Sequence, residues 1–250
     1  MPRVICIIPA RYSSSRFEGK PLADIAGKPM IQHVYERVLR SKAVSHVAVA
    51  TDDERIGKAV ETFGGTAILT SGRHRSGTDR IAEAVQSMNL SDSDVVVNIQ
   101  GDQPLFQSSQ IDEVVAPLMA DPQLNFCTLI YRIRREEEIN HPNAVKVVFD
   151  KDHFAIYFSR ATIPYVRDGN DDVFYYKHHG IYSYRKDFLV TFTGLSEGYL
   201  EKLEALEQLR ALENGYKIKV VETEHDSVEV DTPEELERVR KILAQEALDR

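Results

Sequence analysis

Val4-Ile-Cys-Ile-Ile-Pro-Ala-Arg-Tyr-Ser-Ser-Ser-Arg-Phe-Glu-Gly-Lys-Pro21 sets a short, mostly β-branched apolar run directly against a loop with three cations, three serines and a glycine. Val4 to Ile8 is apolar at every position, the pattern of a strand covered on both faces. Downstream, Ile31, Val34, Tyr35, Val38 and Leu39 recur at helical spacing, and Val47 to Ala50 reads as a second strand. Ile56, Ala59, Val60 and Phe63 predict a helix stopped by Gly64-Gly65, then Ala67 to Leu69 a third strand. Ile81, Ala84, Val85 and Met88 mark another helix, and Val95 to Ile99 is a continuous apolar strand running into Gly101-Asp102-Gln103-Pro104. Strands alternating with helices predict an α/β fold with a mostly parallel sheet flanked by helices.

Past about residue 126 the rhythm loosens. Strands are expected at Cys127 to Ile133, Val145 to Phe149, Ala155 to Phe158 and Gly180 to Tyr184, forming an α+β subdomain on the same sheet. Leu200, Leu203, Leu206, Leu209 and Leu212 predict one helix ending at Asn214-Gly215, followed by a strand from Ile218 to Val221 and a helix starting at Thr232-Pro233. With no repeat or linker, a single domain is expected over 1–250: about 1–125 for the first α/β part, 126–220 for the subdomain, 221–250 for the last strand and helix. The 250 residues carry 31 Lys and Arg against 39 Asp and Glu, a net charge of −8, which argues against general nucleic-acid binding. Only two cysteines occur, Cys6 and Cys127, so no disulfide framework is available and a reducing compartment, the cytoplasm, is expected. No apolar run is long enough for membrane insertion or a signal segment.

In an open parallel sheet, ligands bind beyond the carboxyl ends of strands where strand order reverses. After the first strand, Arg11, Arg16 and Lys20 with hydroxyls and free backbone N–H groups suit a polyphosphate; a solvated basic loop is the plain alternative. The segment is neither a Walker A loop nor a G-x-G-x-x-G dinucleotide fingerprint. Asp102 is placed to hold a divalent cation or to serve as a turn residue, and Asp231, before Thr232-Pro233, to join it or to begin a helix. Together with phosphate oxygens the two carboxylates would make an open Mg²⁺ site. Arg160 could fork onto a carboxylate, and His178, Tyr182, Glu207 and Gln208 could bond hydroxyls, or each could belong to an ordinary solvated face. The eight histidines show no zinc motif.

Taken together, these stretches resemble the 3-deoxy-manno-octulosonate (Kdo) cytidylyltransferases, the CMP-Kdo synthetases of lipopolysaccharide biosynthesis. The resemblance runs over nearly the whole length: Ile8 to Leu22, Gly27 to Arg37, Ala50-Thr-Asp-Asp53, Ser76-Gly-Thr-Asp-Arg80, Val97 to Asp102, Tyr157 to Pro164, His179-Gly-Ile-Tyr182, Leu206-Glu-Gln-Leu-Arg210 and Val230-Asp-Thr-Pro233. It implies a nucleotidyltransferase fold of Rossmann-like type, CTP as nucleotide, Mg²⁺ as cofactor, an eight-carbon acid sugar as acceptor and a homodimer. Ala10, Arg11, Ser14, Lys20, Arg75, Ser76 and Gly77 would then hold CTP, Asp102 and Asp231 the Mg²⁺, and Gln100, Arg160, His178, Tyr182, Glu207 and Gln208 the sugar. Arg11, Lys20, Asp102 and Asp231 would carry catalysis.

Three positions depart from the resembled pattern: Glu18 for proline, Gln103 for glutamate after Gly-Asp, and Glu229 for glycine before Val-Asp. The last two shift charge beside the proposed metal carboxylates, and a substrate carrying an amino group, such as the 8-amino analogue of the sugar, is one way to use that shift. Rival expectations are a sialate-like or sugar-1-phosphate nucleotidyltransferase and a catalytically idle nucleotide-sensing domain.

Overall fold

The computed structural model describes residues 2–13, 17–168 and 173–248; Ser14 and Arg16 lie outside the described residues. The first half alternates as the periodicity predicts: β1 (Val4–Ala10), a small ribbon of β2 (Asp24–Ile25) and β3 (Lys28–Pro29), α1 (Met30–Val38), β4 (His46–Thr51), α2 (Glu54–Thr62), β5 (Ala67–Leu69), α3 (Gly77–Gln86), β6 (Val95–Asn98) and α4 (Ser109–Ala120). The second half adds β7 (Phe126–Arg132), α5 (Glu136–Ile139), β8 (Lys146–Phe149), β9 (Ala155–Ser159), β10 (Tyr176–Arg185), α6 (Lys186–Gly194), α7 (Tyr199–Glu204), α8 (Leu209–Glu213), β11 (Lys219–Glu222) and α9 (Pro233–Leu248).

One sheet runs β11-β7-β10-β6-β1-β4-β5, with β8 and β9 attached beside β10. β1 pairs parallel with β4 and with β6, so the chain first builds outward to β5 and then crosses back to the opposite side of β1. Strand order reverses between β1 and β6, and the crevice at their carboxyl ends is where this architecture places ligands. β10 lies antiparallel between β6 and β7, joining the second half to the same sheet.

Alternating residues of the strands feed two cores. Ile5 and Ile7 of β1 pack with Ile81, Ala84 and Val85 of α3 and with Phe188 and Phe192 of α6, while Val4, Cys6 and Ile8 pack with the inner faces of α1, α2 and α4. Burial on both faces explains why β1 and β6 read as unbroken apolar runs. A third cluster, Ile25, Met30, Leu105, Val230, Leu236 and Val239, fastens α9 across the mouth of the crevice.

Two expectations fail. Leu39 follows the last residue of α1 and is 61% exposed, outside the helix face assigned to it. The single leucine helix is two, α7 and α8, separated at Ala205 with φ +50°, and Leu203 is 66% exposed. Arg210 of α8 donates to Glu201 of α7 at 2.9 and 2.6 Å, holding the second helix back against the first. That break turns Glu207 and Gln208 off a helix surface and toward the crevice.

Candidate active site

A cleft of about 330 Å³ opens at the β1/β6 switch point, lined by Ala10, Arg11 and Lys20, by Arg75, Ser76 and Gly77, and by Gln100, Asp102 and Asp231. Its first wall is the loop after β1. Gly19, at φ +69°, donates its N–H to Tyr12 O at 2.9 Å, closing the loop so that Lys20 points back across the cleft. The Arg55 guanidinium stacks 3.3 Å over the Tyr12 ring and supports the loop from behind.

The second wall is the start of α3. The Ser76 hydroxyl caps the helix by accepting the Asp79 N–H at 3.1 Å, leaving the first helical N–H groups and the positive end of the helix dipole at the cleft. Gly77 is required by proximity: a Cβ would stand 3.1 Å from the Pro9 ring. The third wall follows β6. Gln100 donates to Asn98 at 2.9 Å, and a side chain on Gly101 would lie 3.1 Å from the Pro9 carbonyl, so glycine is what lets this loop cross so close to β1.

At the cleft mouth the two acidic residues converge. Lys20 Nζ donates to Asp102 Oδ2 at 2.6 Å and to Asp231 Oδ1 at 3.1 Å. The backbone fixes this meeting independently of the lysine, because Val230 N–H donates to the Asp102 carbonyl at 2.9 Å. Glu235 then accepts the N–H groups of Asp231 and Thr232 at 2.7 and 3.0 Å, and Thr232 caps α9. Burial works against the charge of Lys20, but Asp102 and then Asp231 outweigh it and raise its pKa. Among the described residues no cluster of three or more His, Cys, Asp or Glu is poised around a metal. Two carboxylates whose present counter-ion is an ammonium nonetheless suit Mg²⁺, which keeps several positions for water and phosphate oxygens.

Glu229 lines a second cavity, of about 350 Å³, that shares Asp231 with the first and is also lined by Arg160, Lys177 and His178. Its carboxyl is pushed up to about 7, first by the protein packed around it and then by Asp102, and it accepts the Gln103 amide at 2.8 Å. Two of the three residues that depart from the resembled pattern, Gln103 and Glu229, are therefore one hydrogen-bonded pair.

Of the remaining predicted residues, Arg160 and His178 line the second cavity, and Tyr182, Glu207 and Gln208 line neither. Tyr182 OH stands 3.4 Å from Gln208 Oε1, and Thr78 donates to Glu207 Oε2. Glu207 Oε1 and Gln208 Nε2 are enclosed and have no hydrogen-bond partner among the described residues, an acceptor and a donor side by side. Burial raises the pKa values of Glu207 and Tyr182 and pushes His178 down to about 3, so this imidazole is neutral at physiological pH. His178 sits edge-on to Phe158, its Nε2 3.1 Å from the Thr128 hydroxyl. Arg160 takes a different role here from the expected fork: its guanidinium donates to the carbonyls of Glu204, Ala205 and Pro142 at 2.6, 3.2 and 3.1 Å, pinning the break after α7.

Sequence reasoning missed the support of the nucleotide cleft. Arg80, on the inward side of α3, reaches Asp52 at 2.9 Å and Thr70 at 2.7 Å, while His74 pairs with Glu83; both His74 and Arg80 line the cleft. The spacing of Ser76 and Arg80, one helical turn apart behind a cap, was the available signal.

A switch-point crevice with a capped helix start, a basic strand-exit loop and two converging carboxylates is the site of an α/β nucleotidyl-group-handling protein. Residues 5–218 match the cytidylyltransferase family, and the chain belongs to it. It is 71% identical over 243 residues to the 3-deoxy-manno-octulosonate cytidylyltransferase of Syntrophus aciditrophicus (strain SB), covering 97% of this chain and 98% of that protein. The 8-amino-3,8-dideoxy-manno-octulosonate cytidylyltransferase of Shewanella sp. (strain ANA-3) is 52% identical over 242 residues, at 96% and 98% coverage. Among solved structures, a CMP:2-keto-3-deoxy-manno-octonic acid synthetase complexed with CTP superposes with a TM-score of 0.92 at 44% identity, covering 98% and 99% of the two chains. A 4-diphosphocytidyl-2C-methyl-D-erythritol synthase from Anaerococcus prevotii shares the fold, at 14% identity and a TM-score of 0.62.

Proposed function

We propose that this chain transfers CMP from CTP to the anomeric hydroxyl of 3-deoxy-manno-octulosonate and releases pyrophosphate. The observation that carries the reading is the meeting of Asp102 and Asp231 at the mouth of the cleft that Arg11, Lys20 and the start of α3 line. CTP would lie along Ala10, Arg11, Arg75, Ser76 and Gly77. Ser14, proposed for the phosphates, lies outside the described residues. Lys20 and Arg11 offset the charge that gathers on the departing pyrophosphate, and the N–H groups opening α3 add a fixed positive dipole. Asp102 and Asp231 would hold Mg²⁺, which when bound supplies charge neutralisation between phosphate and acceptor oxygens. Gln100, Tyr182, Glu207 and Gln208 position the hydroxyls of the sugar, and the neutral His178 adds a hydrogen bond without repelling a cation. Arg160 reaches the carboxylate by exchanging one of its backbone carbonyls for it. Attack by the anomeric hydroxyl oxygen on the α-phosphorus breaks the bond to pyrophosphate, so little covalent work falls to the protein.

The Gln103–Glu229 pair favours a second acceptor, the 8-amino analogue, because it puts a carboxyl in the wall of the adjoining cavity. The test is pyrophosphate release with CTP and Mg²⁺, comparing Kdo, its 8-amino analogue and a sialate. Kdo turnover supports the main reading, a preference above about tenfold for the amino sugar, roughly 1.4 kcal/mol, supports the second, and CTP binding without turnover on any sugar supports a nucleotide sensor. We also propose a homodimer in the cytoplasm. Exposed Ile156 on β9 and Tyr199 and Leu203 on α7 offer apolar surface for a second copy, and sedimentation equilibrium reads the mass. No helix of the described residues is long and apolar enough to cross a membrane.

A further inference from the structure

Between the end of β11 and the start of α9, residues 223–232 run without helix or strand, yet this stretch must deliver Asp231 to within hydrogen-bond reach of Lys20. Its downstream end is fixed by the α9 cap and by Val230, fully buried and bonded to Asp102 O. Its upstream end is fixed by a separate set of charges on the far side of the second cavity. Lys177 of β10 reaches Asp226 at 2.9 Å and Glu138 at 2.6 Å, and Glu138 is in turn paired with Arg135 at 2.6 Å. His179, two residues along the same strand, stands 3.3 Å from Asp226 Oδ1. Gln110, fully buried on α4, donates to His225 O at 3.1 Å and lies 3.3 Å from His179 Nδ1. Asp226 Oδ1 also accepts the next N–H of the loop, that of Ser227, at 2.8 Å.

The charges of this cluster are matched. Two cations, Lys177 and Arg135, face two carboxylates, Glu138 and Asp226, and burial keeps His179 neutral against the pull of Asp226. Burial opposes the charge on Asp226, but His179 and Lys177 overcome it and hold the carboxyl far below the usual carboxylate range. The side chains of Lys177 and His179 are only 9% and 3% exposed, so the loop is tied to the rigid centre of the sheet. Among the described residues no hydrogen bond or ion pair joins the cluster to Asp102 or Lys20; the five-residue step from 226 to 231 is the covalent link between it and the site.

We propose that Asp226, gripped by Lys177, is a positioning residue that sets where the segment 227–231 crosses the cleft and thereby where Asp231 meets Asp102. The proposal rests on the reading of Asp102 and Asp231 as the carboxylates of the nucleotidyl-transfer site. Removing a group hydrogen-bonded directly to a metal ligand typically changes metal affinity by about ten- to hundredfold, and a residue acting through the loop is expected at the lower end of that range.

The test uses the full chain with Asp226→Asn, which keeps the shape and removes the charge, and Lys177→Met, which removes the grip and leaves the loop sequence intact. Amide exchange, followed by peptide mass spectrometry, reads the loop without any metal. Exchange over 227–232 should rise about tenfold in both variants while the peptides of β1, β6 and α3 stay as in the parent. Mn²⁺ binding in the presence of CTP should weaken by about tenfold, with the KM for CTP at saturating metal within twofold of the parent. Asp226→Glu should recover most of both. Unchanged exchange over 227–232 in folded variants overturns the proposal, as does uniform loosening of the whole chain or loss of the fold in both, either of which assigns the cluster to stability alone. If the parent itself fails to bind Mn²⁺ with CTP or to release pyrophosphate, the functional reading falls, and the exchange result still decides whether Asp226 places the loop.

Discussion

Replacing Lys20 with methionine keeps the length of the side chain and removes its charge. The ammonium donates to Asp102 at 2.6 Å and Asp231 at 3.1 Å, and the three side chains are 13%, 27% and 30% exposed. Charge-assisted hydrogen bonds contribute roughly 1.5–3 kcal/mol each, and discounting for the water that still reaches both carboxylates leaves about 3 kcal/mol for the pair. A divalent cation entering the nucleotide-free parent must displace the ammonium and forfeit that sum. In Lys20→Met it meets two uncompensated carboxylates and forfeits nothing. Nucleotide-free Mn²⁺ binding, read by calorimetry or by the Mn²⁺ resonance, should therefore tighten by about a hundredfold, since each 1.4 kcal/mol is tenfold. Turnover with CTP and Kdo should fall by about a hundredfold or more, because a charge that stabilises the leaving pyrophosphate is gone. The two effects have opposite sign, which no general loss of structure produces. Mn²⁺ binding unchanged or weaker in the variant would refute the idea that lysine and cation compete for the same oxygens, and near-parent turnover would refute the role on pyrophosphate.

Asp102→Asn should leave the melting temperature within a few degrees of the parent, because Lys20 retains Asp231, while cutting pyrophosphate release about a thousandfold or more. Gly101→Ala brings a Cβ to 3.1 Å from the Pro9 carbonyl, a backbone atom that cannot swing away, and should cost roughly 1–3 kcal/mol in denaturant titrations together with a raised KM for CTP. Asp94, far from the site, accepts the N–H, Nε and Nη2 of Arg3, and these bonds outweigh burial to hold its carboxyl at about 2. Because that folded value lies below the unfolded one of about 3.9, the stability it contributes is complete above about pH 4 and is lost as pH falls through about 2. Asp94→Asn should thus be less stable than the parent by about 1–2 kcal/mol at pH 7, with the two urea midpoints converging between pH 4 and 2.

What the sequence disclosed depended on whether a feature is written in neighbouring residues. β1 and β6 are covered on both faces, so their apolar runs announce central strands, and the residues just after them, Arg11 to Lys20 and Gly101-Asp102, inherit the position of the switch point. The leucines from 200 to 212 misled because they are spaced by three. At 3.6 residues per turn each such step drifts by about 60°, so five leucines spread around a helix instead of sharing a face. The chain resolves the conflict by breaking at Ala205 and leaving Leu203 outside. Gln103 and Glu229 stood out singly as departures, but their hydrogen bond across 126 positions could be seen only in three dimensions. Of the cluster of Glu138, Lys177, His179 and Asp226 only His179 fell in a resembling stretch, and the meeting of the four, drawn from three separate stretches of chain, is written in none of them.

The acidic balance of the whole chain and the cationic loop after β1 serve one end. A protein with a net charge of −8 does not gather polyanions over its surface, so capture of a triphosphate falls to the few cations that β1 and α3 direct into the cleft, Arg11, Lys20, Arg75 and Arg80. Without a ligand, Lys20 is held by Asp102 and Asp231 and Arg80 by Asp52, so part of the positive charge is already satisfied inside the site. On the proposed function, an arriving triphosphate with its own cation would exchange these partners one for one, the lysine for phosphate and the carboxylates for the metal. Such a matched exchange would keep the cost of binding low and would make nucleotide and cation favour each other, because each would release the partner the other needs. The second carboxylate comes from outside the β1/β6 crevice, and the bond from Val230 N–H to the Asp102 carbonyl is what brings a segment from the far end of the chain to supply it.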